Sequence, residues 1–287
     1  MKVLITGAAG QLGQDLQKLL EAEGIEYIPT DFAQGYTKLD ISNLSEVIEF
    51  VANAKPDVLI NCAAYNAVDK AEEEWKVAYT INGLALRNIA MAADRVGAFL
   101  VHYSTDYVFD GEKGAPYTIY DTPNPTSRYG ESKYLGERLL SQCYDDYALI
   151  RTSWVFGKGN INFAKKVLEW SKRYEKISLV IDEVSVPTYT KDLAKATWEI
   201  VKLRARGLYH ATNEGECSRY EYGKYILEKI GYTGEIVQAY QRDFNLPAKR
   251  PKYSKLDNYG LKETTGMDMP TWQSAVDRFL EEMGMLG

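Results

Sequence analysis

The chain begins with an apolar run at residues 3–5 that leads directly into Gly7. An uninterrupted apolar run of this length predicts a β-strand that is buried on both faces, as in a parallel sheet. Residues 11–23 then carry leucines at helical spacing, and the segment ends at Gly24. This opening therefore predicts a strand, a tight glycine turn and an amphipathic helix.

The same alternation of apolar runs and helical patterns continues to about residue 151. Further strands are expected at residues 25–30, 57–61, 99–104 and 147–151, and another is expected just ahead of Asp40. Helices are expected at residues 43–53, 71–96 and 127–142. Strands that alternate with helices in this way predict an α/β fold with a Rossmann-like, doubly wound parallel sheet.

After Gly157 the alternation becomes less regular. Helices are expected at residues 161–173, 190–204 and 218–230, strands at 177–181 and 207–211, and a last helix after Pro270. We therefore expect a dinucleotide-binding domain over residues 1–157 and a smaller, interleaved C-terminal α/β substrate domain over 158–287. Parts of residues 175–200 and 234–250 are expected to cross back and join the first domain.

Composition narrows the range of partners. The formal net charge of the 287 residues is −6 and the Lys and Arg residues are scattered, which argues against nucleic acid or an anionic membrane as the main partner. A small phosphorylated substrate is still compatible with this charge. Cys62, Cys143 and Cys217 are far apart and lack metal-site spacing, so we expect neither disulfide nor zinc, and a cytoplasmic location. No apolar run approaches the ~18 residues of a membrane helix.

Gly7, Gly10 and Gly13 form a GxxGxxG pattern directly after the first strand. Glycine is needed in such a turn because a side chain would block it and keep the backbone away from a pyrophosphate. The start of the following helix offers N–H donors and a partial positive charge to the same group. The segment predicts a dinucleotide-binding loop, and the alternative is an ordinary turn between strand and helix.

Other residues at predicted strand ends could also contact a dinucleotide. A carboxylate at Asp31 can accept hydrogen bonds from both adenosine ribose hydroxyls and would repel a 2′-phosphate, which favours NADH over NADPH. Asp40 and Ile41 are placed to clamp the adenine ring, and the small residues Ala63 and Ala64 allow the chain to pass beneath the cofactor. Each of these features could also be ordinary loop chemistry.

Thr105 ends a predicted strand, and Tyr129 and Lys133 follow it in a YxxxK pattern. Residues i and i+4 share one face of a helix, so the lysine ammonium can lie beneath the tyrosine phenol. Reduction of a ketone needs a hydride, which a nicotinamide provides, and a proton, which Tyr129 would donate. One cation about 4 Å away could lower the phenol pKa from near 10 towards 7, and Thr105 would hydrogen-bond the carbonyl oxygen. The alternative is an exposed helical pair without a chemical role.

The remaining polar signals are weaker. Lys249 and Arg250 could neutralise a substrate diphosphate. His102 and His210 are single histidines in apolar strands, and we interpret both as structural.

Several longer stretches are typical of one enzyme family. They lie at residues 7–13, 61–72, 104–111, 129–133, 151–157 and 250–257, and they include the specific sequences VDKAE and STDYVFDG. Together they resemble the extended short-chain dehydrogenase/reductase family, and within it the dTDP-4-dehydrorhamnose reductases. The resemblance implies NADH- or NADPH-dependent reduction of the C4 keto group of dTDP-4-dehydro-L-rhamnose to dTDP-L-rhamnose, a precursor of cell-surface polysaccharide.

The resemblance also implies roles for individual residues. It makes Thr105, Tyr129 and Lys133 catalytic, and it makes Asp106 and Trp154 substrate contacts. The cofactor would be lined by Gln11, Leu12, Asp31, Asp40, Ile41, Ala64, Tyr65, Asn66, Tyr129 and Lys133. The indole of Trp154 at a strand end would also offer a platform for a sugar face, and the alternative for that residue is an ordinary core aromatic.

The chain departs from the family pattern in one stretch. The family usually has DQxGxPT, whereas residues 182–188 read DEVSVPT, with Glu183 for Gln and Ser185 for Gly. This departure affects expected substrate contacts rather than the chemistry. Some family members hold magnesium through carboxylates at a dimer interface, but no comparable set stands out here. No metal is therefore assigned, and a monomer and a homodimer both stay open.

Three other functions are compatible with parts of this sequence. A nucleotide-sugar dehydratase resembles this chain but has an Asp-Glu pair after the threonine, and here Asp106 is followed by Tyr107. An epimerase uses the same Tyr and Lys and keeps its NAD bound, so it stays open. A reductase-like regulatory subunit without activity has no need of an acidic phenol, and the intact Thr105, Tyr129 and Lys133 count against it.

Overall fold

A computed structural model describes residues 1–286. The strands are β1 (Lys2–Thr6), β2 (Glu26–Thr30), β3 (Val58–Asn61), β4 (Phe99–Thr105), β5 (Tyr147–Thr152), β6 (Val155–Phe156), β7 (Lys176–Val180), β8 (Val184–Ser185), β9 (Thr188–Tyr189), β10 (Gly207–His210), β11 (Cys217–Ser218) and β12 (Glu235–Ala239). The helices are α1 (Gln11–Ala22), α2 (Leu44–Ala54), α3 (Trp75–Tyr79), α4 (Ala85–Val96), α5 (Arg128–Cys143), α6 (Phe163–Ser171), α7 (Thr190–Leu203), α8 (Arg219–Lys229), α9 (Leu261–Thr265) and α10 (Trp272–Glu282). In this part of the chain, no helix has the length and apolar character needed to cross a bilayer.

The central sheet has six strands in the order β10-β5-β4-β3-β1-β2, and every neighbouring pair is parallel. The chain moves outward from β1 to β2, returns to β3 on the other side of β1, and then continues to the opposite edge. The strand order therefore reverses beside β1, which is where such sheets bind ligands. The predicted doubly wound, Rossmann-like α/β fold is confirmed.

Burial on both faces explains the apolar runs of the central strands. Val3 and Ile5 of β1 pack into one apolar cluster with residues of α1 and α7, and Leu4 between them packs into a second cluster with α2 and α4. Successive side chains of a strand point to opposite faces, so a strand between two helical layers must be apolar at every position.

The C-terminal part forms a smaller α/β unit around a third apolar cluster, to which α6, α8 and α10 contribute. Its strands form the pairs β7–β12, β8–β11 and β6–β9. Helix α7 and strand β10 return to the first domain, where β10 pairs with β5. Of residues 234–250, parts of which were expected to join the first domain, 235–239 form β12 and pair with β7, whereas Ala248 and Arg250 hydrogen-bond Asp69.

The prediction of one regular helix over residues 71–96 was wrong in part, because the helical segment begins at Trp75 and contains a π turn. A 3₁₀ turn at Lys70–Glu72 and α3 precede a π-helical turn at Thr80–Leu84, and α4 follows it. The Asn82 side chain in this turn hydrogen-bonds the Tyr65 backbone N–H and carbonyl, at 2.8 and 3.0 Å, and donates to the Ser132 hydroxyl at 2.9 Å. These tertiary contacts hold a bulge that helical periodicity alone does not reveal.

The strand expected ahead of Asp40 was also wrong. One isolated bridge joins Thr30 to Thr37, and no strand is formed over residues 31–43. The backbone instead turns so that Leu39 and Ile41 pack into the second apolar cluster. Asn61 therefore ends the third strand of the fold and Thr105 ends the fourth.

Candidate active site

A cavity of about 430 Å³ opens at the carboxyl ends of β3, β4 and β5. It lies where a doubly wound sheet normally binds its ligand. Residues from both parts of the chain line it: Gly10, Gln11, Leu12, Gly13, Asn61, Cys62, Ala63, Ala64, Asn66, Val68, Tyr103, Ser104, Thr105, Asp106, Tyr107, Tyr129, Lys133, Thr152, Trp154, Val155, Asn160, Ile161, Leu193 and Arg219.

The glycine loop is packed as tightly as its sequence predicts. Gly7 has φ +68°, and a Cβ atom there would lie 2.5 Å from the Ala63 backbone nitrogen. A Cβ atom at Gly13 would lie 2.5 Å from the Gly7 carbonyl oxygen. Neither position can hold a larger residue without movement of the backbone. The loop therefore brings the start of α1, and its free N–H groups, to the edge of the cavity.

Asp31 supports this loop from outside the cavity lining. One carboxylate oxygen accepts a hydrogen bond from the Ala9 N–H at 2.9 Å, and the other accepts one from the Ala33 N–H at 2.9 Å. The carboxylate thus lies beside the glycine loop, as expected, and each of its oxygens already holds a backbone N–H.

Four other predicted cofactor residues do not line the cavity, and one of them is Gly7, which lies beneath the loop. Asp40 accepts hydrogen bonds from the Ser42 backbone and hydroxyl. Ile41 is 6% exposed and lies in the apolar core. The Tyr65 hydroxyl donates to Glu74. By contrast, the predicted residues Gly10, Gln11, Leu12, Gly13, Ala63, Ala64 and Asn66 all line it.

The predicted catalytic residues Thr105, Tyr129 and Lys133 converge on the same cavity. Ser127 begins α5 by accepting a hydrogen bond from the Gly130 N–H at 3.2 Å. A Cβ atom at Gly130 would lie 2.2 Å from the carbonyl oxygen of residue 107, so glycine allows the first turn of α5 to pack against the end of β4. This close packing brings Tyr129 beside Thr105.

Lys133 is 3% exposed, and its ammonium donates a hydrogen bond to the Tyr103 carbonyl at 2.6 Å. Burial lowers the pKa of Lys133 to about 8, and the negative charge of Glu137 opposes this shift. The lysine is therefore held on the floor of the cavity by β4 rather than by a carboxylate.

The expectation that Lys133 alone lowers the pKa of Tyr129 is not met. Burial raises the pKa of this phenol, and the Thr105 hydroxyl opposes the rise while Asp106 adds to it. Lys133, which is directed at the Tyr103 carbonyl, does not lower it in this structure. Desolvation of a phenolate is costly and outweighs the single neutral donor.

His102 lies beneath this lysine, although its sequence context gave it only a structural interpretation. Its Nε2 is 3.4 Å from the Lys133 ammonium nitrogen, and its Nδ1 is 2.9 Å from the side-chain nitrogen of Asn61. The Asn61 side-chain oxygen accepts from the Thr6 hydroxyl and the Ala63 N–H. Burial holds the pKa of His102 well below its usual value, so the ring is neutral.

Asp106 is 2% exposed and collects hydroxyl donors from distant parts of the chain. Ser254 donates to one oxygen at 2.6 Å and Ser185 to the same oxygen at 3.3 Å, while Thr105 donates to the other at 3.1 Å. Burial raises the pKa of Asp106 to about 6 in spite of these donors.

Trp154 lines the cavity, and Arg219 and Tyr222 lie against its ring. The Arg219 guanidinium lies 3.5 Å from the ring centroid, and Tyr222 stacks with the ring at 6.4 Å. Trp154 has φ +43°, a strained backbone conformation for a bulky residue, which points to a specific requirement at this position. The Arg219 guanidinium therefore lies over a face of the indole that was expected to serve as a platform for a sugar.

Arg219 is a site residue that the sequence analysis missed. Its guanidinium pairs with Glu183 at 3.1 Å and faces the cavity, where it and Lys133 are the basic residues of the lining. A single arginine at the start of a helix carried no local signal. Arg250, which was considered for the substrate diphosphate, instead makes a bidentate pair with Asp69 at 3.0 and 2.7 Å.

Unsatisfied hydroxyls in the cavity fit a polar ligand. The Ser104 and Thr152 hydroxyls are buried and find no partner within residues 1–286, and both residues line the cavity. Buried hydroxyls usually have a partner, so these two are available to a bound molecule. Together with the glycine loop and Lys133, the lining fits a nicotinamide dinucleotide. Over the same described part, no group of three or more His, Cys, Asp or Glu side chains could hold a metal ion.

Comparisons with known proteins agree with this geometry. The family model described as RmlD substrate binding domain matches residues 1–285. The spore coat polysaccharide biosynthesis protein SpsK of Bacillus subtilis is 38% identical over 98% of this chain and 97% of its own length.

Two solved structures of dTDP-4-dehydrorhamnose reductases share the fold over nearly their whole length. The enzyme from Clostridium acetobutylicum has a TM-score of 0.94 and 41% identity, covering 99% of this chain and all of that one. The enzyme from Bacillus anthracis, solved in complex with NADP, has a TM-score of 0.94 and 38% identity, covering 98% and 99%.

Proposed function

The chain belongs to the RmlD substrate-binding-domain family, and we propose on this basis that it is an NAD(P)H-dependent dTDP-4-dehydrorhamnose reductase. It reduces the C4 keto group of dTDP-4-dehydro-L-rhamnose and gives dTDP-L-rhamnose. The observation that carries this proposal is the convergence of Thr105, Tyr129 and Lys133 on the cavity that the glycine loop borders.

The residues of the chain supply the proton and the geometry. When bound, the reduced nicotinamide supplies the hydride, which adds to the keto carbon while the carbonyl π bond breaks. Tyr129 donates its hydroxyl proton to the oxygen, so the product is the neutral C4 alcohol. Thr105 donates a hydrogen bond that fixes the position of the keto oxygen. Lys133 would hold the cofactor ribose, and its charge together with that of the oxidised nicotinamide would stabilise the tyrosinate left behind.

The rest of the lining is suited to the substrate and the cofactor. Asp106, Arg219 and the edge of Trp154 lie where they would contact the sugar or its diphosphate. The Asp31 carboxylate beside the glycine loop repels a 2′-phosphate, so we expect NADH to be preferred and NADPH to be accepted. The proposal assigns no role to magnesium and places the reaction in the cytoplasm, by a monomer or a homodimer.

Single-turnover reduction of dTDP-4-dehydro-L-rhamnose, followed by cofactor absorbance and product analysis, tests this function. Tyr129→Phe should lower the rate of hydride transfer by a factor of about 100 to 10,000 with cofactor affinity nearly unchanged. The matched control is Tyr134→Phe on the same helix, because Tyr134 packs beside Phe109 outside the cavity lining.

Three results would contradict the proposal. A near-normal rate in Tyr129→Phe would remove the assigned proton donor. Epimerised sugar without net loss of reduced cofactor would identify an epimerase. Tight cofactor binding without turnover of this substrate would favour a regulatory subunit without activity.

A further inference from the structure

The hydrogen bonds of Thr105 conflict with the role it has in ketone reduction. Its hydroxyl accepts a hydrogen bond from the Tyr107 N–H at 3.1 Å and donates its one proton to Asp106 at 3.1 Å. A ketone oxygen carries no proton, so it can only accept. While Asp106 is ionised, the proton of Thr105 is therefore directed at a carboxylate and away from the substrate.

A protonated Asp106 resolves this conflict. Its own O–H can then donate to the Thr105 oxygen, which has two lone pairs and would accept from both Asp106 and the Tyr107 N–H. The Thr105 proton is then no longer directed at the carboxylate and can be donated to the keto oxygen. The other Asp106 oxygen still accepts from Ser254.

We propose that Asp106 is a positioning residue that acts through Thr105: it must be protonated for the Thr105 hydroxyl to donate to the substrate's keto oxygen. This inference rests on the proposed reductase function. The proton on Asp106 comes from solvent and stays there through turnover, so it is not consumed. The proton that enters the product still comes from Tyr129.

The surroundings of Asp106 are consistent with a carboxyl group that changes its protonation state near neutrality. Burial raises its pKa to about 6, with Ser254, Thr105 and Arg219 opposing the rise and Glu183 adding to it. Arg219 is itself paired with Glu183, which weakens its support for the ionised form. A substrate that covers the cavity would exclude more water and raise this pKa further.

The other titratable groups that face Asp106 can be separated from it. The phenols of Tyr107 and Tyr129 have raised pKa values and stay neutral in this range. Lys133 has a pKa of about 8, so its deprotonation would change the rate at a higher pH than Asp106 does. The hydroxyl of Ser185, which stands where the family usually has glycine, does not titrate but adds a third donor to the carboxylate in this chain.

The test is the pH dependence of single-turnover hydride transfer at saturating substrate and cofactor. In the unmodified protein the rate should rise as the pH falls through the pKa of Asp106 and then level off. This pKa is about 6 without substrate and should be higher when substrate is bound. Asp106→Asn should abolish this dependence, because an amide N–H donates to Thr105 at every pH. Asp106→Ala neither captures the Thr105 proton nor orients this hydroxyl, so it should also lose the pH dependence, at a rate about tenfold below that of Asp106→Asn.

Ser254→Ala provides an independent variant if the asparagine variant fails to fold. It removes a donor to the ionised carboxylate, so it should move the rate change to higher pH by about one unit. Asp110→Asn is the matched control, because the Asp110 carboxyl lies outside the cavity lining and has a lowered pKa. It should keep the unmodified profile.

The outcomes distinguish this inference from the proposed function. If the protein reduces the substrate but Asp106→Asn is as slow as Asp106→Ala, or keeps the pH dependence, the inference fails alone. An unmoved profile in Ser254→Ala would also overturn it. If there is no reduction at all, the proposed function fails. The protonation of Asp106 can then still be tested by infrared titration, in which the carboxyl band of Asp106 is obtained by subtracting the spectrum of Asp106→Asn from that of the unmodified protein. A midpoint near pH 6 would support that part and a midpoint near 4 would overturn it.

Discussion

The two sides of the active site are built differently. On the cofactor side, Gly7, Gly10 and Gly13 lie within one turn and helix start, and their role is to leave space for the backbone. On the substrate side, Asp106 is surrounded by Ser185 and Ser254, which come from distant segments, and its role depends on buried polar contacts. The comparison shows that local steric requirements shape one side, whereas through-space electrostatics shape the other.

Lys133 lies between the two sides, so its replacement should have the largest effect. Lys133→Met removes the buried ammonium and should lower the rate of hydride transfer by about a thousandfold. Thermal stability should not fall, because a buried charge without a carboxylate partner is replaced by an apolar chain of similar length. Stopped-flow and thermal melts measure the two effects. Lys224→Met on the surface of α8 is the control, and equal rates in both variants would contradict the role.

Gly7→Ala should break the cofactor side selectively. The new Cβ atom would lie 2.5 Å from a backbone nitrogen at φ +68°, so the loop must move and cofactor affinity should fall by about a hundredfold. Gly24→Ala is a close control, since Gly24 has φ +67° but nothing within 4 Å. That control should cost about 1–2 kcal/mol in stability and leave cofactor titrations unchanged. Equal loss of affinity in both variants would show that strain, not the close approach, limits binding.

Two buried histidines, His102 beneath Lys133 and His210 away from the cavity, should make the fold sensitive to acid. Burial lowers the pKa of His210 to about 3, and it lowers that of His102 as well. Below the ordinary pKa of 6.5 the unfolded chain takes up protons that the folded protein does not, so stability falls as the pH falls. His210 should account for about 2 kcal/mol between pH 6.5 and 5.

Urea unfolding of His210→Asn measures this contribution. The variant should lose less stability than the unmodified protein between about pH 7 and pH 5, by about 2 kcal/mol. An identical loss in both proteins would mean that His210 becomes protonated in the folded state.

Arg219→Gln tests the substrate side alone and should have the smallest effect of these variants. We expect the KM for the nucleotide sugar to rise about tenfold, because a cationic donor is lost from the lining, while cofactor affinity stays the same. Arg204→Gln is the matched control, since Arg204 also lies over an aromatic ring and pairs with a carboxylate but is on the surface. If cofactor affinity changes, or if the KM for the nucleotide sugar does not change, Arg219 does not bind the substrate.

Much of the fold could be predicted because the signals are local. The apolar runs of β1, β3 and β4 and the spacing of α1 reflect burial that any doubly wound sheet imposes. Two predictions of secondary structure differed from the structure. In the first, the Asn82-Gly83 pair within a helical pattern was only a weak local signal for the π turn, which tertiary contacts stabilise. The loop at residues 31–43 has strand-like apolar residues that enter the core from a turn instead.

The candidate site was predictable where a single segment carries it. The glycine loop and the Tyr129–Lys133 spacing follow from steric limits and from the helical period, which the order of residues alone determines. Arg219, and the partners of Asp106 and Lys133, depend on segments that meet only in the folded chain. Their pKa values and donor directions follow from desolvation and from contacts through space, so only the tertiary structure could decide them.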